Sequence, residues 1–339
     1  MKTIDGSRGE GGGQILRTAL SLSMVTGEPL RIERIRAGRG KPGLLRQHLT
    51  CIQAAKSLCG ATVEGDELGS SSLTFHPGSI RSGEFAFAVG SAGSATLVFQ
   101  TVLPALLHGD APTTLTIEGG THNPNAPPFD HLAKVFLPLI TRLGPGVEAT
   151  LERPGFYPSG GGRFLARVHP VGRLGGLELL DRGPLEGVRV RALVAGLPRR
   201  IADRECQVLR DALELERWAV QAEEVDGTGP GNVVMVELRS ANLTELFTGF
   251  GERGVPAEEV ALRLAAEVKH HLTTDIPVGE FLADQLLLPL ALGCGGRFRT
   301  GELSSHASTQ IELLREWLGV EIRAREARSG GVEVEVGRP

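Results

Sequence analysis

The sequence predicts an α/β protein: a large body built of three βαβα-type repeats, with a smaller α/β domain inserted into it. A glycine-rich turn followed by an amphipathic helix occurs three times, from Gly9, Gly90 and Val278. Each copy continues with an extended segment, a second helix and a strand. The first two copies are about 80 residues apart and the last two about 190, so about 100 residues are inserted between them.

The three copies share the same order of turn and helices, but their sequence identity is weak. Their first helices lie in GEGGGQILRTALSLSMVTG, GSAGSATLVFQTVLPALLHG and VGEFLADQLLLPLALGCG. Their second helices lie in LLRQHLTCIQAAKSLCGATVEG, FDHLAKVFLPLITRLGPGVEATL and SSHASTQIELLREWLGVEIRA. Repeats that each bury one sheet face against helices predict one compact body, formed by residues 1–179 and 278–339.

The insert, residues 180–277, has a different order of strand-like and helix-like segments. Strand-like segments VRVRALVAG and NVVMVELRS alternate with helix-like segments RECQVLRDALELERWAV and PAEEVALRLAAEVKHHL. Strands that alternate with helices predict a small α/β sandwich.

Composition excludes several classes of protein. The 339 residues are 41% hydrophobic and 22% charged, with a formal net charge of −4, which excludes a mainly disordered chain. No stretch approaches the ~18 apolar residues of a membrane span, and the N-terminus does not resemble a signal peptide. We therefore expect a cytoplasmic protein that does not associate with a membrane. The four cysteines form no C-x-x-C pair.

Residues 5–17, DGSRGEGGGQILR, combine a sharp turn with the start of a helix. Such a turn presents free N–H groups and the positive end of a helix dipole to an anion. Glu10 and Arg17 flank the glycines, and a carboxylate beside a phosphate-binding arginine can hold Mg²⁺ or Mn²⁺. The alternative is a glycine-rich connection without a ligand.

Residues 31–48, RIERIRAGRGKPGLLRQH, carry five Arg and one Lys against a single Glu. This composition is typical of a phosphate-binding patch, and Arg36 and Arg39 are its best candidates. A solvated charged loop is the alternative. With one Tyr and two Trp in the chain, extended base stacking is not expected, so an RNA would be bound by its end.

His306 lies at the entrance of the last helix, after Ser304 and Ser305. A carboxylate in the same repeat, such as Asp284, can orient an imidazole and fix its tautomer. A helix-cap neighbour or a core histidine is the alternative reading. The sequence does not separate His306 by chemistry from the other histidines: His48, His76, His108, His122, His131, His169, His270 and His271.

Six blocks of sequence, in order, carry a resemblance that spans nearly the whole chain. They read EGGGQILRTALSLS, IRAGRGKPGLLRQHLT, GSAGSATLVFQTVLPALL, NPNAPP, GFYPSGGG and GEFLADQLLLP. Together they resemble the RNA 3′-terminal phosphate cyclase family. The resemblance implies ATP-dependent conversion of an RNA 3′-phosphate into a 2′,3′-cyclic phosphodiester. It also implies a covalent histidine–AMP and an RNA(3′)pp(5′)A intermediate.

The resemblance also implies roles for individual residues. His306 matches the nucleophile, and Gln310 stands near it where many relatives have Asn. Glu10 matches a ligand of a divalent metal, Mg²⁺ or Mn²⁺. The expected ATP and RNA phosphate-binding residues are Arg17, Arg36, Arg39, Gln47, Gln100, Phe281 and Asp284, of which Phe281 would stack on adenine.

The fold implied by the resemblance is three copies of the fold of the C-terminal domain of translation initiation factor 3, with a thioredoxin-like insert. ATP and RNA 3′-phosphate ends are the expected partners. Two alternatives remain. A catalytically silent, RNA-binding relative acting in ribosomal RNA maturation would lack the histidine that this chain has at His306. An enolpyruvyl transferase would bind a small phosphorylated substrate with Lys and Arg, and this chain has few lysines.

Overall fold

The computed structural model describes residues 1–338, which contain sixteen β-strands and nine α-helices. The strands are β1 (Lys2–Asp5), β2 (Leu30–Glu33), β3 (Thr62–Glu64), β4 (Leu73–His76), β5 (Gly83–Ala88), β6 (Thr113–Gly119), β7 (Gly146–Arg153), β8 (Gly162–His169), β9 (Leu177–Leu179), β10 (Leu185–Ala195), β11 (Val220–Glu224), β12 (Gly231–Ser240), β13 (Thr244–Phe250), β14 (Gly296–Thr300), β15 (Ile322–Glu326) and β16 (Val332–Val336). The helices are α1 (Gly13–Thr26), α2 (Arg46–Cys59), α3 (Ala95–Leu107), α4 (Phe129–His131), α5 (Leu137–Arg142), α6 (Arg200–Ala212), α7 (Ala257–Thr273), α8 (Glu280–Leu292) and α9 (Ser305–Leu318). The predicted α/β class is confirmed.

Three of the four sheets have one strand order. They run β1-β2-β4-β3, β5-β6-β8-β7 and β9-β14-β16-β15. In each, the first two strands are parallel and the other neighbours antiparallel. A parallel pair needs a crossover, which contains α1 in the first sheet and α3 in the second. In the third sheet the crossover from β9 to β14 contains α8 and a long excursion of the chain.

That excursion forms the fourth sheet, β11-β10-β12-β13, which with α6 and α7 is named here the inserted unit. Its central strands are buried on both faces. Val190 and Val194 of β10 face a small core made with α6 and α7. Leu193 of β10 and Met235 of β12 belong to the large core shared with the other three sheets. The unit is therefore packed firmly against the body.

The helices that carry the candidate site begin and end at residues suited to those positions. Ser94 accepts a hydrogen bond from the Leu97 N–H at the start of α3, and Ser304 accepts one from the Ala307 N–H at the start of α9. Gly319 ends α9 with a φ of 68°, a left-handed conformation that glycine adopts freely. These caps place His306 in the first turn of α9.

The inserted unit differs from the sequence prediction in two ways. β11 and β13 were not predicted, and both are edge strands, whose exposed sides weaken the apolar pattern. The segment expected to be one helix to Val220 ends at Ala212, because Glu214 has a φ of 54° and the chain then turns. A short 3-10 helix, Arg217–Ala219, leads into β11. No helix of residues 1–338 is long and apolar enough to cross a membrane.

Candidate active site

A cleft of about 1260 Å³ lies where α1, α3, α8 and α9 face β13 and α7 of the inserted unit. It brings together every residue that the sequence predicted for the site: Glu10, Arg17, Arg36, Arg39, Gln47, Gln100, Phe281, Asp284 and His306. These residues come from parts of the chain almost 300 positions apart. The cleft is therefore a candidate site made by all three repeated sheets together.

The glycine-rich turn leaves space for side chains from elsewhere in the chain. A Cβ atom on Gly12 would meet the carboxylate of Glu10 and the guanidinium of Arg39. A Cβ atom on Gly13 would lie 2.5 Å from Nε2 of His48 and 2.9 Å from Nη1 of Arg17. The glycines therefore let cationic and polar groups approach the first turn of α1, whose N–H groups attract anions.

His306 is half-buried and is oriented by a chain of two amides. Nδ1 of His306 lies 2.9 Å from Oε1 of Gln14. Nε2 of Gln14 donates to Oε1 of Gln310 at 2.8 Å. Nε2 of Gln310 donates to the backbone carbonyl of Asp284 at 2.9 Å. The Asp284 carbonyl can only accept, so it fixes the direction of every bond in this chain.

The consequence is a defined tautomer for the imidazole. Because Oε1 of Gln14 accepts, the proton of the neutral His306 ring is on Nδ1, and the lone pair of that tautomer is on Nε2. A neutral imidazole nitrogen with a free lone pair is a nucleophile. The prediction that the Asp284 carboxylate orients His306 is wrong, because Gln14 is the hydrogen-bond partner of Nδ1. Asp284 contributes through its backbone carbonyl instead.

Arg17 and Gln100 point polar groups at the cleft without a protein partner. Within residues 1–338, the guanidinium of Arg17 forms no ion pair or hydrogen bond, and burial lowers its pKa. Nε2 of Gln100 is buried and has no hydrogen-bond partner among the same residues. A buried donor without a partner costs free energy, so a ligand with acceptor oxygens would be stabilised here.

Glu10 and Arg39 form an ion pair at the mouth of the turn. The carboxylate is almost fully buried, and its second oxygen lies 3.4 Å from the N–H of Gln14 at the start of α1. Within residues 1–338 there is no group of three or more His, Cys, Asp or Glu that could hold a metal ion. One carboxylate is nevertheless the donor set from which Mg²⁺ is often held together with substrate phosphates. Glu10 therefore fits a metal that a phosphate ligand shares.

Arg36 and Gln47 line the cleft, and both also form hydrogen bonds with the backbone of the protein. Nη1 of Arg36 donates to the carbonyls of Lys41 and Gly43 at 2.7 and 2.8 Å, which shapes the loop before α2. Oε1 of Gln47 accepts from the N–H of Ser94 at 2.7 Å. Part of the hydrogen-bonding capacity assigned to these two side chains from the sequence is therefore used within the protein.

Asp284 and Phe281 lie on α8 and also line the cleft. Burial raises the pKa of the Asp284 carboxyl to about 7, against the opposing effect of the Arg17 charge. Phe281 is 71% exposed although its side chain is large and apolar. An aromatic ring left exposed beside a cleft can stack on a planar ligand.

Sequence reasoning missed the part played by Gln14 and gave Gln310 only an uncertain contact. Gln310 is four residues after His306, so the helical spacing i, i+4 places both on one face of α9. Gln14 is 292 residues from its histidine partner, and only its place after the glycine triplet marks it. His48 was noted as the last residue of the basic segment and as one of the eight other histidines, and it too lines the cleft.

Comparisons with known proteins show the family of this chain. The family model described as RNA 3′-terminal phosphate cyclase matches residues 8–324. The chain is 51% identical over 330 residues to an RNA 3′-terminal phosphate cyclase of Koribacter versatilis (strain Ellin345), covering 96% of this chain and 92% of that protein. It is 50% identical over 330 residues to the protein of the same name from Ralstonia nicotianae (strain ATCC BAA-1114 / GMI1000), covering 97% and 95%. This chain belongs to the RNA 3′-terminal phosphate cyclase family.

Proposed function

We propose that this protein uses ATP to convert the 3′-terminal phosphate of RNA into a 2′,3′-cyclic phosphodiester, through a covalent adenylate on His306. The lone pair of Nε2 attacks the α-phosphorus of ATP, and pyrophosphate leaves. An oxygen of the RNA 3′-phosphate then attacks the same phosphorus, which returns the histidine and gives RNA(3′)pp(5′)A. The neighbouring 2′-hydroxyl attacks the terminal RNA phosphorus, loses its proton and expels AMP.

The observation that carries the proposal is the tautomer of His306. Gln14 accepts the Nδ1 proton, which leaves the Nε2 lone pair for the nucleotide. A covalent intermediate divides one difficult displacement into easier ones. In each step the bond that breaks releases a leaving group of its own: pyrophosphate, then imidazole, then AMP. The sequence feature that separates an enzyme from a catalytically silent relative, His306, thus stands in a geometry suited to attack.

The phosphates need positive charge and alignment more than acid–base chemistry. We infer that Arg17, Arg39 and the N-terminus of α1 hold the phosphates, with Arg36 assisting from its loop. A phosphate at this position competes with Glu10 for Arg39. The carboxylate that Arg39 releases can then hold Mg²⁺ or Mn²⁺ together with phosphate oxygens. When bound, such an ion supplies charge neutralisation.

The remaining contacts follow from the chemistry of the cleft walls. We infer that Phe281 stacks on the adenine ring, and that Gln100 donates its unpaired Nε2–H to the nucleotide. Gln47 offers a weaker contact, because its carbonyl already accepts from Ser94. Asp284, neutral when protonated, adds no repulsion against phosphate below a pH of about 7.

The architecture is part of the same proposal. Three sheets with one strand order support the inference that the body, residues 1–179 and 278–339, contains three copies of a fold similar to the C-terminal domain of translation initiation factor 3. We likewise infer that residues 180–277 form a domain of thioredoxin-like fold. A redox role does not follow, because the insert has no C-x-x-C pair.

Covalent labelling tests the proposal. Wild-type protein incubated with α-³²P-ATP and Mg²⁺ or Mn²⁺ should acquire an acid-labile label, and His306→Ala should acquire none. His270→Ala is the matched control, because His270 also lines the cleft but is exposed on α7. Addition of RNA with a 3′-phosphate should discharge the label and give a cyclic end.

Three results would contradict the proposal. If no variant is labelled although ATP binds, the protein is better described as the catalytically silent RNA-binding relative. If ATP does not bind and a small phosphorylated substrate does, the result favours the enolpyruvyl transferase instead. Label that persists on His306→Ala would place the nucleophile on another residue.

A further inference from the structure

His48 is a buried histidine in the first turn of α2 whose tautomer the backbone sets. The N–H of Leu45 donates to Nδ1 of His48 at 3.1 Å. A nitrogen that accepts carries no proton in the neutral ring, so the proton of the neutral imidazole is on Nε2. His48 therefore has the opposite tautomer to His306, and it is a donor where His306 is a nucleophile.

The donor of His48 is directed at the start of α1. Nε2 of His48 and Nη1 of Arg17 lie 2.5 and 2.9 Å from the point that a Cβ atom on Gly13 would occupy. Both residues line the cleft, and Gly13 is the first residue of α1. An N–H of an imidazole, an N–H of a guanidinium and the N-terminus of a helix thus converge on one place. Each of these groups favours an anion.

The surroundings keep His48 uncharged. Burial, and then the charges of Arg17 and Arg36, lower its pKa to about 3. A neutral ring near neutral pH adds a hydrogen-bond donor to the cationic end of the cleft without adding a third repelling charge. The alternative is that His48 only packs in the core and caps α2 through Leu45, a role that requires no partner for Nε2.

We propose that His48 is a positioning residue that donates its Nε2–H to a non-bridging phosphate oxygen held between Arg17 and the start of α1. The proposal rests on the proposed function, because it concerns a phosphate of the same reaction. That phosphate belongs either to ATP or to the RNA 3′ end. Formation of the adenylate in the absence of RNA reports on the first, and transfer of AMP to RNA reports on the second.

Two substitutions distinguish the role of Nε2 as a donor from the role of Nδ1 as the cap that accepts from Leu45. His48→Asn keeps an acceptor at the position of Nδ1, so the Leu45 contact can form, but it removes the donor at Nε2. His48→Gln places an amide near the position of Nε2 and loses the acceptor for Leu45. If the donor contacts phosphate, His48→Asn should lose at least about 10-fold in kcat/KM for adenylation or for transfer, the loss expected for a hydrogen bond to a charged group.

His48→Gln should retain more activity than His48→Asn, although it is the less stable of the two. If His48 serves only to cap α2, the order is reversed and activity follows the fraction of folded protein. His76→Asn, an exposed histidine on β4 outside the cleft, is the matched control and should equal wild type in both steps. Equal kcat/KM for His48→Asn and wild type in both steps would overturn the proposal.

A direct binding measurement distinguishes failure of this inference from failure of the proposed function. In protein labelled with ¹⁵N-histidine, the Nε2–H signal of His48 should shift when pyrophosphate is added, and the Nδ1 signal should remain that of an acceptor. If wild type forms no adenylate, the proposed function fails, and the titration still tests His48. If pyrophosphate binds and the His48 signal does not move, the inference about His48 is overturned.

Discussion

The surroundings of His122 and Asp130 differ in almost every physical respect from those of His306 and Asp284. His122 is 1% exposed, and its two ring nitrogens contact the Thr121 hydroxyl at 2.9 Å and the Asp130 carboxylate at 3.1 Å. His306 opens on the cleft, and only its Nδ1 has a protein partner among residues 1–338, the amide of Gln14. Thr121, His122 and Asp130 are arranged like a catalytic triad, but all three are buried, so no substrate reaches the hydroxyl.

The two aspartates differ in the same direction. Burial alone would raise the pKa of Asp130, but the hydrogen bond from His122 and the charges of Lys134 and Arg191 outweigh it and lower the pKa. Asp284 lacks such partners, and burial raises its pKa to about 7. Full pairing indicates a structural role and incomplete pairing a functional one. In this protein the composition of a cluster is therefore a poorer guide to function than its unpaired atoms.

The largest expected effect separates the two histidines. His306→Ala should abolish the covalent label completely, because the proposed adenylate forms on His306 alone. Its free energy of unfolding should remain close to that of wild type, since His306 is half-buried and makes one hydrogen bond. Labelling with α-³²P-ATP and urea unfolding of the same preparation give both quantities.

Substitution in the buried pair of His122 and Asp130 should have the opposite effect: loss of stability without loss of labelling. Asp130→Ala should lower the free energy of unfolding by about 3 kcal/mol, the lower end of the cost of breaking a buried ion pair. The lower end applies because Lys134 and Arg191 are partly exposed and keep Glu237 and Glu223 as partners. Labelling per folded molecule should be unchanged. A large loss of label in folded Asp130→Ala protein would contradict the structural role assigned to Asp130.

The amide chain is the next test. Gln14→Leu removes the acceptor that fixes the His306 tautomer and should slow adenylation by about 10- to 100-fold, the equivalent of one lost hydrogen bond to a reacting group. Gln53→Leu, on the exposed face of α2, is the matched control. Single-turnover kinetics at saturating ATP report the chemical step. An unchanged rate for Gln14→Leu would mean that the tautomer does not depend on Gln14.

The two aspartates should also give opposite pH dependences of stability. The pKa of Asp284 is about 7 in the folded protein against 3.8 ordinarily, so its stabilising contribution is full below a pH of about 4 and is lost as the pH rises through 7. The pKa of Asp130 is lowered, so its contribution is present above 3.8 and is lost at more acidic pH.

Urea unfolding of Asp284→Asn between pH 4 and 8 should therefore show a shallower fall of stability with rising pH than wild type. Glu205→Gln is the control from the inserted unit, because burial also raises the pKa of Glu205 to about 7. Each substitution should remove its own part of the slope. An identical slope in Asp284→Asn and wild type would contradict the assignment.

The smallest expected effect concerns Gln100. Gln100→Leu removes a buried donor that has no partner among residues 1–338, so the free energy of unfolding should not fall. The Kd for ATP should nevertheless rise by about 3- to 10-fold, as for one lost neutral hydrogen bond. Calorimetric titration with ATP measures the second effect. Loss of stability without weaker binding would assign Gln100 to the core.

The sequence predicted the α/β class and the central strands of the inserted unit, because long apolar segments of strand such as β10 and β12 dominate local pattern. It did not predict the edge strands β11 and β13, which each pair with one neighbour only and whose exposed sides weaken the apolar pattern. The repeated body and the thioredoxin-like insert remain proposals, which the common strand order of three sheets supports.

The sequence and the resemblance named the residues of the site better than they described their bonds. Arg36 was expected to contact phosphate from composition, and composition does not reveal that the carbonyls of Lys41 and Gly43 already accept from its Nη1. His306 and His122 are indistinguishable in sequence, since their partners are set by folding. The contact of Gln14 with His306 depends on the folded structure, in which α1 and α9 lie side by side.

The central claim is that an amide chain gives His306 a free Nε2 nucleophile. We would test it by ¹⁵N NMR of histidine-labelled protein before and after reaction with ATP, with His306 assigned by its loss in His306→Ala. We expect a proton on Nδ1 before reaction and an adenylate bonded to Nε2 afterwards. A proton on Nε2 before reaction, or AMP on Nδ1 or on another histidine, would contradict it.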